Sequence, residues 1–223
     1  MIPLKDSVPT EKFPFINYSI ITANIVVFIF ETDLAPKGHL ETLIFSYGVV
    51  PMNILHDFSS YWTTLITSQF LHGGWMHIIG NMLYLYIFGD NVEDRLGHFS
   101  YLVFYIVCGA TAALVQVHFN SESTLPMIGA SGAIAGILGA YFLYYPKARI
   151  LTLIPLGFFS RVVEIPAFFF LGFWFILQTF SGTTALHVSR SMGRDIGGVA
   201  WWAHAGGFIA GALMALLSLL FEK

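Results

Sequence analysis

The chain has 223 residues, of which 56% are hydrophobic and only 10% are charged. A soluble globular domain usually has about a quarter of its residues charged, so this composition indicates a membrane protein whose surface mostly faces lipid. The net charge of −3 comes without a basic block, and there is a single cysteine, so the composition argues against a nucleic-acid partner and excludes an intrachain disulfide.

Six apolar stretches come close to the roughly 20 residues with which a helix crosses a bilayer. They lie at about 15–31, 75–95, 99–119, 128–145, 165–181 and 200–221. A short N-terminal segment, residues 1–14, precedes the first stretch, and residues 32–74 form a long first loop with room for interfacial helices. The pattern predicts an all-α membrane protein with one six-helix membrane domain over residues 15–221.

Lysine and arginine are distributed unequally between the two ends of these predicted spans. If the N-terminus lies inside, the cytoplasmic segments hold seven of them: Lys5, Lys12, Arg95, Lys147, Arg149, Arg161 and Lys223. The outer segments hold three: Lys37, Arg190 and Arg194. Because positive residues concentrate on the cytoplasmic side of membrane proteins, we expect both termini in the cytoplasm.

The polar residues inside the predicted spans share one depth. With this orientation the second, fourth and sixth spans enter from the outer face, and each has polar side chains near that end: His77 with Asn81, then Ser131, then His204. Polar groups buried in a membrane are costly and usually mark function. His72, just before the second span, is interpreted as a structural hydrogen-bonding residue.

Small residues accompany these polar side chains. Gly132 and Gly136 form a stripe beside Ser131, while Gly207 and Gly211 lie on the same helix face as His204. Stripes of small residues allow membrane helices to approach closely. We therefore expect the fourth span to be central and the sixth to pack tightly against it, which would bring the His204 imidazole within reach of the Ser131 hydroxyl.

This set of groups suits acyl transfer. A serine hydroxyl becomes an effective nucleophile when a hydrogen-bonded base takes its proton, and His204 is the candidate base for Ser131. The oxyanion needs preorganised donors, for which His77, Asn81 and the Ser131 backbone N–H are candidates. No carboxylate is obviously placed to orient His204, since Asp195 lies in a glycine-rich loop, so a dyad is predicted. Neither a metal nor a cofactor is implied.

Other interpretations of the same residues exist. A serine within G-x-S-G in a membrane helix is commonly a packing residue, which would favour a non-catalytic binding protein. Intramembrane His and Asn residues could also line the path of a transporter. A transport path would need polar residues in the inner half of the membrane, whereas the inner halves of the fourth and sixth spans are almost wholly apolar.

Four motifs together resemble the rhomboid family of intramembrane serine proteases. They are "HGGWMHIIGN" (72–81), "GDNVEDRLG" (89–97), "GASG" (129–132) and "AHAGGFIAG" (203–211), in the family's order and on the expected spans. The resemblance covers about residues 15–221 and implies the six-helix rhomboid fold of bacterial and archaeal members. It implies a Ser131–His204 dyad with His77 and Asn81 in the oxyanion site.

The same resemblance implies a substrate and a location. The expected substrates are membrane proteins, cleaved within or beside a transmembrane segment near the outer face of the membrane. The expected location is the inner membrane of a prokaryote, as a multi-pass protein. The alternative that the family leaves open is a non-catalytic rhomboid-like protein that binds membrane proteins or takes part in their quality control.

Three further expectations follow from the family's pattern. Glu93, between Gly89 and Gly97, would be structural, and residues 182–199 would cap the active site. Some members have an aromatic residue four positions after the nucleophile, stacked on the catalytic histidine. That position is Ala135 here, so we expect Trp201 or Trp202 to orient His204 instead.

Overall fold

The computed structural model of the chain describes residues 1–156, 159–192 and 198–221. Within these ranges, helices occupy all six stretches for which spans are predicted. In chain order the elements are β1 (Ile2–Asp6), α1 (Phe15–Leu34), α2 (Leu40–Tyr47), α3 (Pro51–His56), α4 (Phe58–Tyr61), α5 (Thr64–Thr67), α6 (Trp75–Leu96), α7 (His98–Phe119), α8 (Ser131–Tyr144), β2 (Arg149–Leu156), β3 (Phe159–Pro166), α9 (Ala167–Met192) and α10 (Trp201–Phe221). The protein is therefore mostly helical.

Four helices among the described residues are long and apolar enough to cross a membrane: Phe15–Lys37, His98–Phe119, Ala167–Ser189 and Trp201–Phe221. Helix α8 is apolar but has only 14 residues. Helix α6 has 22 residues, but four of its last seven are charged: Asp90, Glu93, Asp94 and Arg95. The structure is that of a multi-pass membrane protein, and the count of six spans stays a prediction.

The region after the fifth predicted span differs from the expectation. Helix α9 continues to Met192 instead of ending near residue 181, so residues 182–192, which the prediction placed after the fifth span, are helical. The backbone of this segment stays helical although Gly182 and a run of polar residues interrupt the apolar pattern. Residues 193–197, with Arg194 and Asp195, lie outside the described residues.

A small antiparallel sheet with the order β1–β2–β3 was not expected from the sequence. Strand β1 places Ile2 opposite Leu153 and Asp6 opposite Ile150, and β2 pairs with β3 along its whole length. The backbone N–H of Arg149 also donates to the Ser7 hydroxyl. The N-terminal segment and the connection between α8 and α9 therefore lie on the same side of the helical domain.

Asp6 links this sheet to α8, since the Tyr141 hydroxyl of that helix donates a hydrogen bond to the Asp6 carboxylate. Burial raises the pKa of Asp6 from 3.8 to about 6, and the negative charge of Asp90 acts in the same direction. A folded-state pKa above the unfolded value means that the folded state binds the proton more tightly. This contribution to stability is complete below about pH 4 and is lost as the pH rises through about 6.

We expect wild-type protein to lose more thermal stability between pH 4 and pH 7 than Asp6→Asn, because the amide oxygen can accept the Tyr141 hydrogen bond without ionising. The measurement is the midpoint of thermal unfolding in detergent across that pH range. Superimposable pH profiles for the two proteins would contradict this assignment.

Glu93 joins α6 to the start of α1. Its carboxylate accepts hydrogen bonds from the backbone N–H groups of Ile16 and Asn17, at 2.9 and 2.7 Å. These N–H groups belong to the first turn of α1 and have no partner within the helix, so the carboxylate acts as a cap. A Cβ at Gly89 would lie 2.2 Å from the Asn17 side chain. The geometry gives Glu93 and Gly89 a structural explanation.

Helix α8 is the centre of the helical domain. Every residue from Gly132 to Tyr141 is buried, which explains why this helix is apolar all round instead of amphipathic. Helices α6, α7, α9 and α10 pack around it. The side chains at the ends of α8, Ser131 among them, are therefore held by a helix that four neighbouring helices enclose.

Candidate active site

The Ser131 hydroxyl and the His204 imidazole meet at the N-terminal ends of two helices. Ser131 is the first residue of α8, and His204 lies in the first turn of α10. The distance from Ser131 Oγ to His204 Nε2 is 2.8 Å. His204 is buried, with 9% of its surface exposed, whereas Ser131 is half-buried. The two groups have the contact that a nucleophile and its general base require.

Glycines allow α8 and α10 to approach this closely. A Cβ at Gly207 would lie 2.1 Å from the Gly132 carbonyl oxygen, and one at Gly211 would lie 1.9 Å from that of Gly136. The helix backbones touch at both points, so no side chain larger than hydrogen fits. Gly139, which faces the Phe208 carbonyl oxygen, extends the same contact. This backbone contact fixes the spacing between Ser131 and His204.

His77 lies near Ser131, since a Cβ at Gly129 would be close to both side chains. The Gly73 backbone N–H donates to its Nδ1 over 3.4 Å. When Nδ1 accepts a hydrogen bond, Nε2 carries the proton of the neutral ring and becomes a donor. A Cβ at Gly129 would lie only 2.7 Å from Nε2, so that donor lies close to the turn that leads into Ser131.

Gly129 fits this place for two reasons. Its φ is +127°, a conformation that favours glycine, and its missing side chain leaves room for the His77 ring. Its backbone N–H donates to the Ser68 carbonyl over 2.8 Å, which ties the turn to the first loop. Ser131 begins α8, so its own backbone N–H is among the helix N–H groups that have no intrahelical acceptor.

Asn81 lies one turn after His77 and is buried. Its side-chain amide donates to His72 Nε2 over 3.0 Å, so His72 bonds to α6 as its structural interpretation requires. The His72 backbone N–H in turn donates to the carboxylate of Glu31 on α1. The Asn81 amide has two N–H groups, and His72 takes one of them.

The far side of the His204 ring faces α9. The distance from His204 Nδ1 to the Gln178 side-chain oxygen is 2.7 Å, and Gln178 is buried. Trp174, one turn earlier on α9, packs against the imidazole with ring centroids 5.9 Å apart. Trp201 meets the ring edge-on at 6.2 Å. Gln178 is not among the predicted site residues, although a lone amide in an apolar span is a signal of function.

Trp202 does not orient His204. Its ring stacks on Phe119 of α7, with centroids 4.0 Å apart and an interplanar angle of 13°. One of the two tryptophans expected near the base is therefore committed to a neighbouring helix, because successive helical residues point in directions about 100° apart. Ala135, at the position of the family's aromatic residue, is fully buried in the core.

Gln116 of α7 is a second polar residue near the dyad that is not among the predicted site residues. Its side-chain oxygen accepts a hydrogen bond from the Ala203 backbone N–H over 3.1 Å. Ala203 belongs to the first turn of α10, so Gln116 satisfies one of the unpaired N–H groups there. The residue before His204 is thus anchored from α7.

A cavity of about 860 Å³ opens onto these groups. Its lining includes Ser131, His204, His77, Asn81 and Gln178, together with apolar residues of α8 and α9. A largely apolar cavity with a few convergent polar groups is the usual form of a binding site. Within the described ranges, no three His, Cys, Asp or Glu side chains converge so as to hold a metal ion.

Residues 59–221 match the Rhomboid domain family. Rhomboid protease AarA of Providencia stuartii is 25% identical over 218 residues, which cover 91% of this chain and 72% of that protein. Rhomboid protease GluP of Bacillus subtilis is 29% identical over 203 residues, covering 91% of this chain and 35% of that protein.

Plant relatives match over shorter stretches. Rhomboid-like protein 11, chloroplastic, of Arabidopsis thaliana is 32% identical over 122 residues, which cover 52% of this chain and 43% of that protein. The chain thus spans less than half the length of this relative and about a third of GluP. The match of the Rhomboid domain to residues 59–221 includes the helices that carry Ser131, His204, His77, Asn81 and Gln178, and the chain belongs to the rhomboid family.

Proposed function

We propose that the protein is an intramembrane serine endopeptidase that uses a Ser131–His204 dyad. The observation that carries this proposal is the 2.8 Å contact between Ser131 Oγ and His204 Nε2 at the edge of an open cavity. A serine that only packs helices together has no need of an imidazole on its hydroxyl or of a cavity beside it. Membership of the rhomboid family supports the same assignment.

The proposed reaction begins when His204 Nε2 takes the Ser131 hydroxyl proton as Oγ attacks the carbonyl carbon of the scissile peptide bond. The C–O bond forms and the carbonyl electrons move onto oxygen. The His77 Nε2–H, the Ser131 backbone N–H and the second N–H of the Asn81 amide are the proposed donors to this oxyanion. His204 then gives its proton to the leaving amine, and the C–N bond breaks.

Water completes the cycle by the same route. His204 takes a proton from water as its oxygen attacks the acyl carbon, and the proton returns to Ser131 Oγ when the ester bond breaks. A peptide bond is thus hydrolysed and both residues return to their starting states. The half-buried position of Ser131 and the open cavity support access of water to a site built on membrane helices.

The proposal includes a topology with both termini in the cytoplasm and six spans. The sheet supports it, because β1 pairs with β2 and so joins the N-terminal segment to the connection between α8 and α9. This joined side carries Lys5, Arg149 and Arg161, in keeping with the positive-inside rule. The dyad lies at the opposite end of α8, which we assign to the outer face.

The proposed substrates are transmembrane segments of other membrane proteins. Helix α9 borders the cavity and exposes large apolar side chains on its other face, among them Phe169, Phe173 and Phe180. A lipid-facing wall beside the catalytic groups suits a substrate that arrives from the bilayer. We place this activity in the inner membrane of a prokaryote, since relatives from two bacteria align over most of the chain.

A fluorophosphonate probe tests the nucleophile directly. The purified protein in detergent is incubated with the probe, and the modified peptide is located by mass spectrometry, while a reporter with a Gly/Ala-rich transmembrane segment is supplied in liposomes. We expect a single adduct on Ser131 and cleavage of the reporter. Folded protein that neither reacts nor cleaves, yet retains the reporter on co-purification, would favour the non-catalytic binding function instead.

A further inference from the structure

Gln178 is a buried polar residue beside the dyad that the proposed mechanism does not use. It lies near the middle of α9, and its side-chain oxygen is 2.7 Å from His204 Nδ1. An amide oxygen can only accept a hydrogen bond, so Nδ1 carries the proton and Nε2 presents its lone pair to the Ser131 hydroxyl. The Ser131 hydroxyl thus donates a hydrogen bond to His204 Nε2, and His204 Nδ1–H donates one to the Gln178 side-chain oxygen.

This arrangement selects the protonation pattern that a general base needs. If Nε2 carried the proton instead, the ring could not accept the Ser131 hydrogen, and the first step of the reaction would stop. A fixed acceptor on Nδ1 therefore holds both the tautomer and the rotation of the ring. When Nε2 takes the serine proton, the amide oxygen also stabilises the positive charge that the ring acquires.

Nothing else among the described residues makes this hydrogen bond to Nδ1. Trp174 and Trp201 pack against the ring, with centroids 5.9 and 6.2 Å from that of the imidazole. These ring contacts restrict the tilt of the imidazole without selecting its tautomer. Position 135, from which an aromatic residue could stack on the histidine, is alanine. An amide also avoids the cost of burying a carboxylate at this depth.

We propose that Gln178 is a positioning residue for His204, acting as the neutral acceptor that holds the base in its reactive tautomer. The proposal rests on the proposed function, since it assigns Gln178 a part in the work of that dyad. It also makes the orientation of the base depend on α9, a different helix from those that carry the nucleophile and the base.

The test compares Gln178→Leu, Gln178→Glu and Thr179→Val. Leucine removes the acceptor and glutamate keeps an oxygen at the same place. The Thr179→Val change is the matched control, because the Thr179 hydroxyl bonds only to carbonyl groups of its own helix. For each protein, kcat and KM for the reporter are measured in liposomes, and the rate of fluorophosphonate labelling is measured in detergent.

We expect Gln178→Leu to lower kcat roughly 10- to 100-fold with KM within about twofold, because one hydrogen bond to a charged ring is lost in the transition state. The labelling rate should fall by a similar factor, since the probe needs the activated serine but no transmembrane substrate. Gln178→Glu should recover most of kcat, and Thr179→Val should match wild type. Equal decreases of kcat in Gln178→Leu and Gln178→Glu would overturn the proposal. A higher KM with unchanged kcat in Gln178→Leu would also overturn it.

A measurement without catalysis separates this proposal from the proposed function. Ring-¹⁵N-labelled protein reports histidine tautomers by solid-state NMR, and the His204 signals are identified by their absence in His204→Gln. We expect the Nδ1–H form in wild type and a mixture of tautomers in Gln178→Leu. An unchanged spectrum in Gln178→Leu would overturn the positioning role even in an active enzyme. Inert protein with the expected spectra would instead refute the protease function alone.

Discussion

Alanine at Ser131 or at His204 is expected to reduce cleavage of the reporter by about 10⁴- to 10⁶-fold, and alanine at both positions is expected to reduce it no further. Ser131→Ala removes the nucleophile, so His204 is left with no hydroxyl to activate. His204→Ala leaves the hydroxyl protonated and without a group to receive its proton. Each change disables the same step, and the two effects therefore do not add.

The three proteins are assayed beside Ser19→Ala and His118→Ala, in which the same residue types change elsewhere. The Ser19 hydroxyl bonds to a carbonyl of its own helix, and His118 makes a ring contact with its neighbour Phe119. Both controls should keep wild-type activity. Cleavage that persists in Ser131→Ala, or a double variant much slower than either single one, would contradict a dyad.

The helix positions and the convergence of Ser131 and His204 could be predicted because both follow from short-range patterns. Apolar length locates a span, and glycines at i, i+3 and i+4 spacings indicate which helix faces come together. The predicted approach of α8 and α10 appears in the structure as backbone contacts at Gly207 and Gly211. The bond between His72 and Asn81 likewise joins residues that are close in sequence.

The sheet and the Gln178 contact depend on long-range placement that no local pattern records. Strand β1 pairs with residues about 150 positions later, and its sequence carries no alternation of polar and apolar residues that would indicate a strand. Gln178 is 26 residues from His204, on a helix whose rotation about its axis decides whether the amide meets the imidazole or the lipid. The aromatic run around it gives no clear stripe by which to fix that rotation.

His77→Ala is expected to lower kcat by about 10²- to 10³-fold with a small change in KM, because it removes one proposed oxyanion donor that acts mainly in the transition state. Asn81→Ala should also lower kcat, because the second N–H of that amide is a proposed oxyanion donor while the first bonds to His72. The measurements are kcat and KM for the reporter in liposomes. A higher KM with unchanged kcat would indicate that His77 contacts the bound substrate and not the oxyanion.

A substitution at Gly129 tests the same donor without changing the identity of residue 77. In Gly129→Ala the new methyl carbon would lie 2.7 Å from His77 Nε2, which is too close for two unbonded atoms. The φ of +127° at this position also disfavours any residue with a side chain. The ring must move away, so kcat should fall although every proposed catalytic group is still present. Gly172→Ala is the control, because its added carbon would meet the nearest atom at an ordinary 3.8 Å.

If the oxyanion depends on the position of the His77 N–H, Gly129→Ala and His77→Ala will slow the same step, and the double variant will have a kcat little lower than that of either single variant. Additive losses would mean that the turn at Gly129 supports catalysis by a separate route, through the start of α8.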